Sequence, residues 1–176
     1  GEEGAPLMLA LLVAQNIAFY VIAAIMVVSA IRVVTTKNVL HAALWLVLVL
    51  AGVAAQYILL AAEFVAITQV LVYLGAIIVL FLFGIMLTRT QAGDARDADH
   101  RGAVKIGAGV LGALLLGLMS YSLIDGFRDT EFGNLMVQST AEVSDSIFST
   151  YLMPFEVLSV LLLAALIGAI VLARRD

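Results

Sequence analysis

The chain has 176 residues, of which 64% are hydrophobic and 12% charged, with a formal net charge of −4 and a mean hydropathy of +1.14. These values exclude a soluble domain and identify an integral membrane protein, while the acidic balance and the lack of a basic patch exclude nucleic-acid binding. With no cysteine and with His41 and His100 far apart in sequence, thiolate-held iron–sulfur clusters, disulfides and a histidine metal site are all excluded as readings of this chain.

Charged residues divide the chain into uncharged runs at 4–31, 38–62, 64–88, 106–124 and 157–173, and about 20 apolar residues are enough to cross roughly 30 Å of hydrocarbon. Tyr151 to Met153 and Phe155 extend the last run. Continuous apolarity without alternation predicts helices rather than barrel strands. The expectation is a single membrane domain over 1–176, an all-α integral membrane protein with transmembrane helices at about 9–34, 38–60, 63–88, 104–124 and 154–173. If the N-terminus lies outside, Arg32, Lys37, Arg89, Arg96, Arg101, Lys105, Arg174 and Arg175 fall on the inner side and Arg128 alone outside. This bias predicts an N-terminus outside and a C-terminus in the cytoplasm.

The opening GEEGAPL carries acids where a signal peptide carries cations, so the first helix is expected to stay in place. Gln15 and Asn16 either bond to a neighbouring helix or reach interfacial water, and their position near the polar boundary favours water. In the second helix His41 reads as a helix-start polar residue and Trp45 as an interfacial anchor. The turn at Ala61 to Glu63 is short enough to make helices two and three an antiparallel hairpin.

The third span, EFVAITQVLVYLGAIIVLFLFGIMLTR, holds Gln69, Tyr73 and Gly75 within a membrane-length apolar run. An amide, a phenol and a helix-weakening glycine each carry a cost there, so their grouping asks for a reason. Gln69 and Tyr73 are spaced i, i+4 and share a helical face. Two readings stay open. In one, Gly75 loosens the ladder and the helix shifts into a π-bulge and back, turning the side chains beyond it. In the other, which packing physics favours, the polar groups bond across helices and Gly75 admits a neighbour.

Residues 89–103 read as a solvated cytoplasmic loop, with His100 among Asp97, Asp99 and Arg101 as part of a solvated charge run. In the fourth span Gly107, Gly109 and Gly112 match G-x-G-x-x-G, but no strand precedes them and the run must cross lipid. Gly109, Ala113 and Gly117 form instead a small-residue stripe for close helix packing. The outer connection 125–153 is acidic, yet Phe127, Phe132, Leu135, Met136, Ile147 and Phe148 make it apolar enough to pack. Pro154 and Glu156 read as first-turn residues of the last helix, where a carboxylate complements the positive helix end. Glu63 and Glu156 thus mark the outer end.

No Asp, Glu, Lys or Arg lies in the middle of any predicted span. Proton pumps and ion carriers place an ionisable group there, so this chain alone is a poor pump. No nucleophile with its base, haem-ligand pair or phosphate loop in a credible context is present, so no catalytic, cofactor-binding or metal residue is assigned.

AEFVAITQVLVYLGAIIVLFLFGIMLTR, together with NVLHAALWLVLVLAGVAAQYILLAAEF and PFEVLSVLLLAALIGAIVLARR, resembles subunit J of proton-translocating NADH–quinone oxidoreductase, respiratory complex I, whose mitochondrial counterpart is NADH dehydrogenase chain 6. The likeness covers helices two, three and five; the first and fourth match in hydropathy only. It implies a π-bulge at Tyr73, Leu74 and Gly75 whose interconversion with regular helix gates a water chain, with Phe81 among the aromatic residues that move. Some relatives carry an acid where this chain has Gln69, which speaks against direct proton carriage at that position. FMN, iron–sulfur clusters and quinone are implied on other subunits, and none on this one. The implied partners are the quinone-site and antiporter-like subunits within a bacterial inner (plasma) membrane. Related photosynthetic and F420-linked complexes use similar subunits. The competing readings are a subunit of a multisubunit cation/proton antiporter, which calls for an intramembrane ionisable residue absent here, and a purely structural membrane subunit.

Overall fold

A computed structural model of the protein describes residues 4–88, 102–129 and 137–174, and every described element is helical. In chain order these are α1 (Gly4–Thr35), α2 (Val39–Leu59), α3 (Glu63–Thr68), a π-helical segment (Gln69–Ile77), α4 (Ile78–Leu87), α5 (Gly102–Phe127), α6 (Thr140–Phe148) and α7 (Leu152–Ala173). Five stretches are long and apolar enough to cross a membrane: Leu12–Thr35, Val39–Leu59, Glu63–Leu87, Ile106–Phe127 and Leu152–Ala173. At 1.5 Å per residue the shortest, of 21 residues, reaches about 31 Å. Most of the predicted cytoplasmic loop, with Arg89, Arg96, Asp97, Asp99, His100 and Arg101, lies outside the described residues. So do Phe132, Leu135, Met136 and Arg175, and the side chain of Lys105.

The core is a layer of three rods with α2 in the middle, α1 on one side and the continuous α3–π–α4 rod on the other. Its fully buried residues are mostly small: Ser29, Ala43, Ala54 and Ala66, with Gln69 and Ile78. Lipid is as apolar as leucine, so burying leucine between helices gains little, whereas small residues let backbones approach and pack. Gly52 shows how close that approach is. A Cβ there would run into Met26 Cγ of α1.

Amides then stitch α1 to α2. Gln15 Nε2 donates to Leu59 O at 2.7 Å and Gln56 Nε2 donates back to Phe19 O at 3.3 Å. Gln15 therefore bonds to a neighbouring helix, contrary to the expectation that it reaches water. The reason lies in the end of α2, where the last carbonyls need donors that hydrocarbon cannot supply. Leu60 N–H donates to Gln56 O, Ala62 N–H to Tyr57 O and Ala61 N–H to Ile58 O. Leu59 O is left over, and Gln15 takes it.

The last two of those backbone bonds form a Schellman motif, and its C′ residue, Ala61, has φ 56°. This is the tight turn expected between helices two and three, made with alanine where glycine fits without a Cβ penalty. At the other end of α2, Asn38 caps the helix, its side chain accepting from Leu40 N–H at 2.9 Å and His41 N–H at 3.4 Å. His41 is thus a first-turn residue, as its place in the sequence suggests.

The outer connection is more ordered than a loop. Ser139 and Glu142 form a capping box that starts α6, Ser139 N–H donating to Glu142 Oε2 at 2.8 Å and Glu142 N–H to Ser139 Oγ at 3.3 Å. This helix packs on α3 and α7, with Phe148 edge-on to Phe155 at 5.2 Å. Because α7 already begins at Leu152, Pro154 is its third residue and Glu156 its fifth. Glu156 therefore stands beyond the first turn, where the helix-end field that was expected to hold it has faded.

Ala61→Gly is expected to stabilise the chain by about 0.5–1 kcal/mol, because it removes the left-handed Cβ strain at some entropic cost in the unfolded chain. A rise in the midpoint of detergent-driven unfolding checks this.

Candidate functional site

The π segment occupies the middle of the Glu63–Leu87 span. At its start the Gln69 N–H is shared between Ala66 O and Val65 O, the spacing of an ordinary helix end. At its finish the Ile78 N–H donates to Tyr73 O, five residues back. A five-residue ladder winds wider than an α-helix and is rare outside functional sites. The sequence QVLVYLGAI assists locally, since Val70, Val72, Tyr73, Gly75 and Ile77 all rank low as α-helix formers.

The stronger cause is packing. Ala66 and Gln69 are buried against the layer, and so is Ile78, with Gln69 only 7% and Ile78 4% exposed. Leu74, Leu82 and Ile85 are half-buried between and beyond them. Gln69 and Ile78 are nine residues apart, about two and a half turns of α-helix, so in a straight helix they would face opposite ways. At roughly 4.4 residues per π turn the same nine residues make about two turns and return to one face. The buried positions 66, 69, 74, 78, 82 and 85 therefore step by three or four residues, except for the five-residue step from Gln69 to Leu74.

Gln69 donates through Nε2 to Leu50 O of α2 at 3.5 Å. At that length the bond is weak. A buried amide at the head of the π segment is thus held loosely to the central helix. Tyr73 is 46% exposed, and its hydroxyl has no hydrogen-bond partner among the described residues. The pair expected to share a face is split, with Gln69 turned toward α2 and Tyr73 half outward. Gly75 is exposed, and a Cβ there would approach Val70 O at 3.4 Å, an ordinary contact. Leu74 is half-buried and Phe81, on α4, is 46% exposed.

The other residues singled out from the sequence lie apart. Gly109, Ala113 and Gly117 are on α5, which none of the other described elements packs against, and a Cβ at Gly109 or Gly117 would meet nothing within 4 Å. The G-x-G-x-x-G run lies wholly within this helix. Glu63 is the first residue of α3, where its carboxylate faces the positive helix end. Among the described residues no three potential metal ligands gather.

Sequence reasoning passed over Gln56, whose Oε1 is buried without a hydrogen-bond partner among the described residues. The signal was present as a third uncharged amide within a span. Leu50 and Leu59 were beyond reach, since a carbonyl's partner is set by tertiary packing and not by its side chain.

A family model described as NADH-ubiquinone/plastoquinone oxidoreductase chain 6 matches residues 29–172. The NAD(P)H-quinone oxidoreductase chain 6 of Synechocystis sp. is 38% identical over 163 residues, covering 92% of this chain and 82% of that protein. The F(420)H(2) dehydrogenase subunit J of Methanosarcina mazei is 38% identical over 170 residues, 92% of each. The NADH-quinone oxidoreductase subunit J of Rhodobacter capsulatus is 36% identical over 163 residues, 90% of this chain and 81% of that protein.

Deleting one residue within the segment, Val72, should restore three- and four-residue steps throughout the buried stripe. The expected product is a regular α-helix that keeps both faces on α2, so the chain still inserts and assembles. Recovery of assembled protein on native gels, with the amide-exchange slowing of a regular helix over 69–77, checks this.

Proposed function

This chain belongs to the NADH-ubiquinone/plastoquinone oxidoreductase chain 6 family, and from that premise we propose that it couples quinone reduction to proton translocation through a switchable third helix. It is a multi-pass inner-membrane subunit of the NADH–quinone oxidoreductase assembly. The π segment at mid-span carries the proposal, in a chain whose membrane spans hold no ionisable residue at mid-depth. Such a chain offers no proton carrier of its own. What it offers is a wound element with two available geometries.

In the α form the five-residue step at Gln69–Leu74 becomes a regular one, a phase change of one residue, so one half of the helix turns by roughly 100° against the other. Tyr73 and Phe81, both half exposed, are the large side chains such a turn would carry. Swinging a phenol and an aromatic wall through a subunit interface opens or closes a path for water, and quinone chemistry on a neighbouring subunit biases which form is held. In this reading Gln69 orients water or latches the helix to α2 and carries no proton. Its weak bond to Leu50 O is suited to being made and broken. The quinone-site and antiporter-like subunits are the partners, and FMN, the iron–sulfur clusters and quinone are held by other chains. The excess of basic residues on one side orients the N-terminus outward.

A multisubunit cation/proton antiporter is the reading of another class. It requires a carboxylate or lysine at mid-span, and none is there. A purely structural subunit would be indifferent to changes that leave packing alone, and this separates it from the coupling reading.

Tyr73→Phe removes a hydroxyl that has no partner among the described residues, so a structural filler should tolerate it. The coupling reading expects normal assembly with proton pumping reduced severalfold, measured as pH-gradient formation against quinone reductase activity in the same vesicles. Gly75→Ala fits the observed backbone sterically and withdraws about 1 kcal/mol of backbone freedom, roughly fivefold in a two-state population. It should likewise assemble and pump less per turnover. Unchanged pumping in both variants would leave the structural reading standing.

A further inference from the structure

We propose that the groove between α1 and α2 beside Trp45 binds an anionic phospholipid of the surrounding bilayer, its acyl chain in the groove and its phosphate on Arg32 and Lys37. The groove has a volume of about 260 Å³ and is lined by Ala24, Ile25, Val28, Ser29, Trp45 and Leu48. Its one hydroxyl is silent. Ser29 is fully buried and donates its proton to Ile25 O at 2.7 Å, so the wall presents carbon to whatever enters. A polar ligand finds no partner there, and a helix of about 10 Å diameter does not fit a space of this size. A hydrocarbon chain from the bilayer does.

The headgroup end is equally defined. The Arg32 guanidinium carbon lies 5.9 Å from the centre of the Trp45 ring, which fixes the cation at the groove's rim. A cation–π contact engages the charge of a guanidinium without using its N–H donors, which remain available to phosphate oxygens. Lys37 follows in the link between α1 and α2 and is exposed. Between residues 12 and 88 the one carboxylate is Glu63, at the opposite end of α2, about 30 Å away. Two cations that form no ion pair among the described residues, above an apolar slot, complement an anionic headgroup above an acyl chain.

The test uses the assembled complex in vesicles doped with phosphatidylglycerol or phosphatidylcholine carrying a photoreactive group on the acyl chain. Mass spectrometry locates the labelled residues. Phosphatidylglycerol should label the groove-lining peptides of α1 and α2 about tenfold more than phosphatidylcholine. Lys37→Gln should narrow that ratio, and Arg32→Gln with Lys37→Gln should abolish it without loss of assembled complex. Ala24→Phe, which fills the slot and spares both cations, should block labelling by either lipid. Equal labelling by the two lipids in the natural chain overturns the proposal, as does the absence of label on the groove-lining peptides while other lipid-facing peptides of the complex are labelled.

Discussion

Everything distinctive in this chain depends on a conflict of phase. Two residues nine apart in the third helix, Gln69 and Ile78, are both buried against α2, and no straight α-helix can do that. The backbone resolves the conflict by widening its winding between them. Once the π segment exists, its other features follow: the half-outward Tyr73, the exposed Gly75 and the amide of Gln69 resting weakly on Leu50 O. In the proposed function this constraint is also what makes a second winding accessible. A π turn has poorer backbone geometry than an α turn, and here packing at either end compensates for it.

The rest of the layer is built so that this compensation holds. Its buried residues are mostly alanine and serine, which suit a medium where apolar bulk gains little by being buried. Its polar connections are amides donating to backbone carbonyls of the next helix, two between α1 and α2 and one from the π segment to α2. Such bonds use acceptors that every helix carries. They leave the middle of each span free of charge while still fixing which helix lies beside which.

Much of this was legible in the sequence, for identifiable reasons. Five spans follow from length and apolarity alone, and the α2–α3 hairpin from the few residues between charge-free runs. The cluster of Gln69, Tyr73 and Gly75 marked the third helix because polar and flexible residues in lipid are conspicuous. The extent of the π segment was not legible, since it depends on which residues α2 covers, and that is a property of the pair. Gln15 was assigned to water because its place near the boundary said nothing of the unpaired Leu59 carbonyl opposite. Glu156 was set in a first turn because Pro154 looks like a helix start, whereas the helix begins at Leu152, before the proline. For α5 the small-residue stripe is bare among the described residues.

The Schellman turn at Ala61 has a mechanical meaning beyond closing a hairpin. It ties the first residue of α3 to the end of α2 through only three intervening residues and two backbone hydrogen bonds. The third helix is therefore anchored at its α3 end by backbone hydrogen bonds, whereas its α4 half is held by side-chain packing on α2. In the proposed switch, a change of winding in the π segment is taken up by that α4 half, and the hairpin serves as the fixed mount against which it turns.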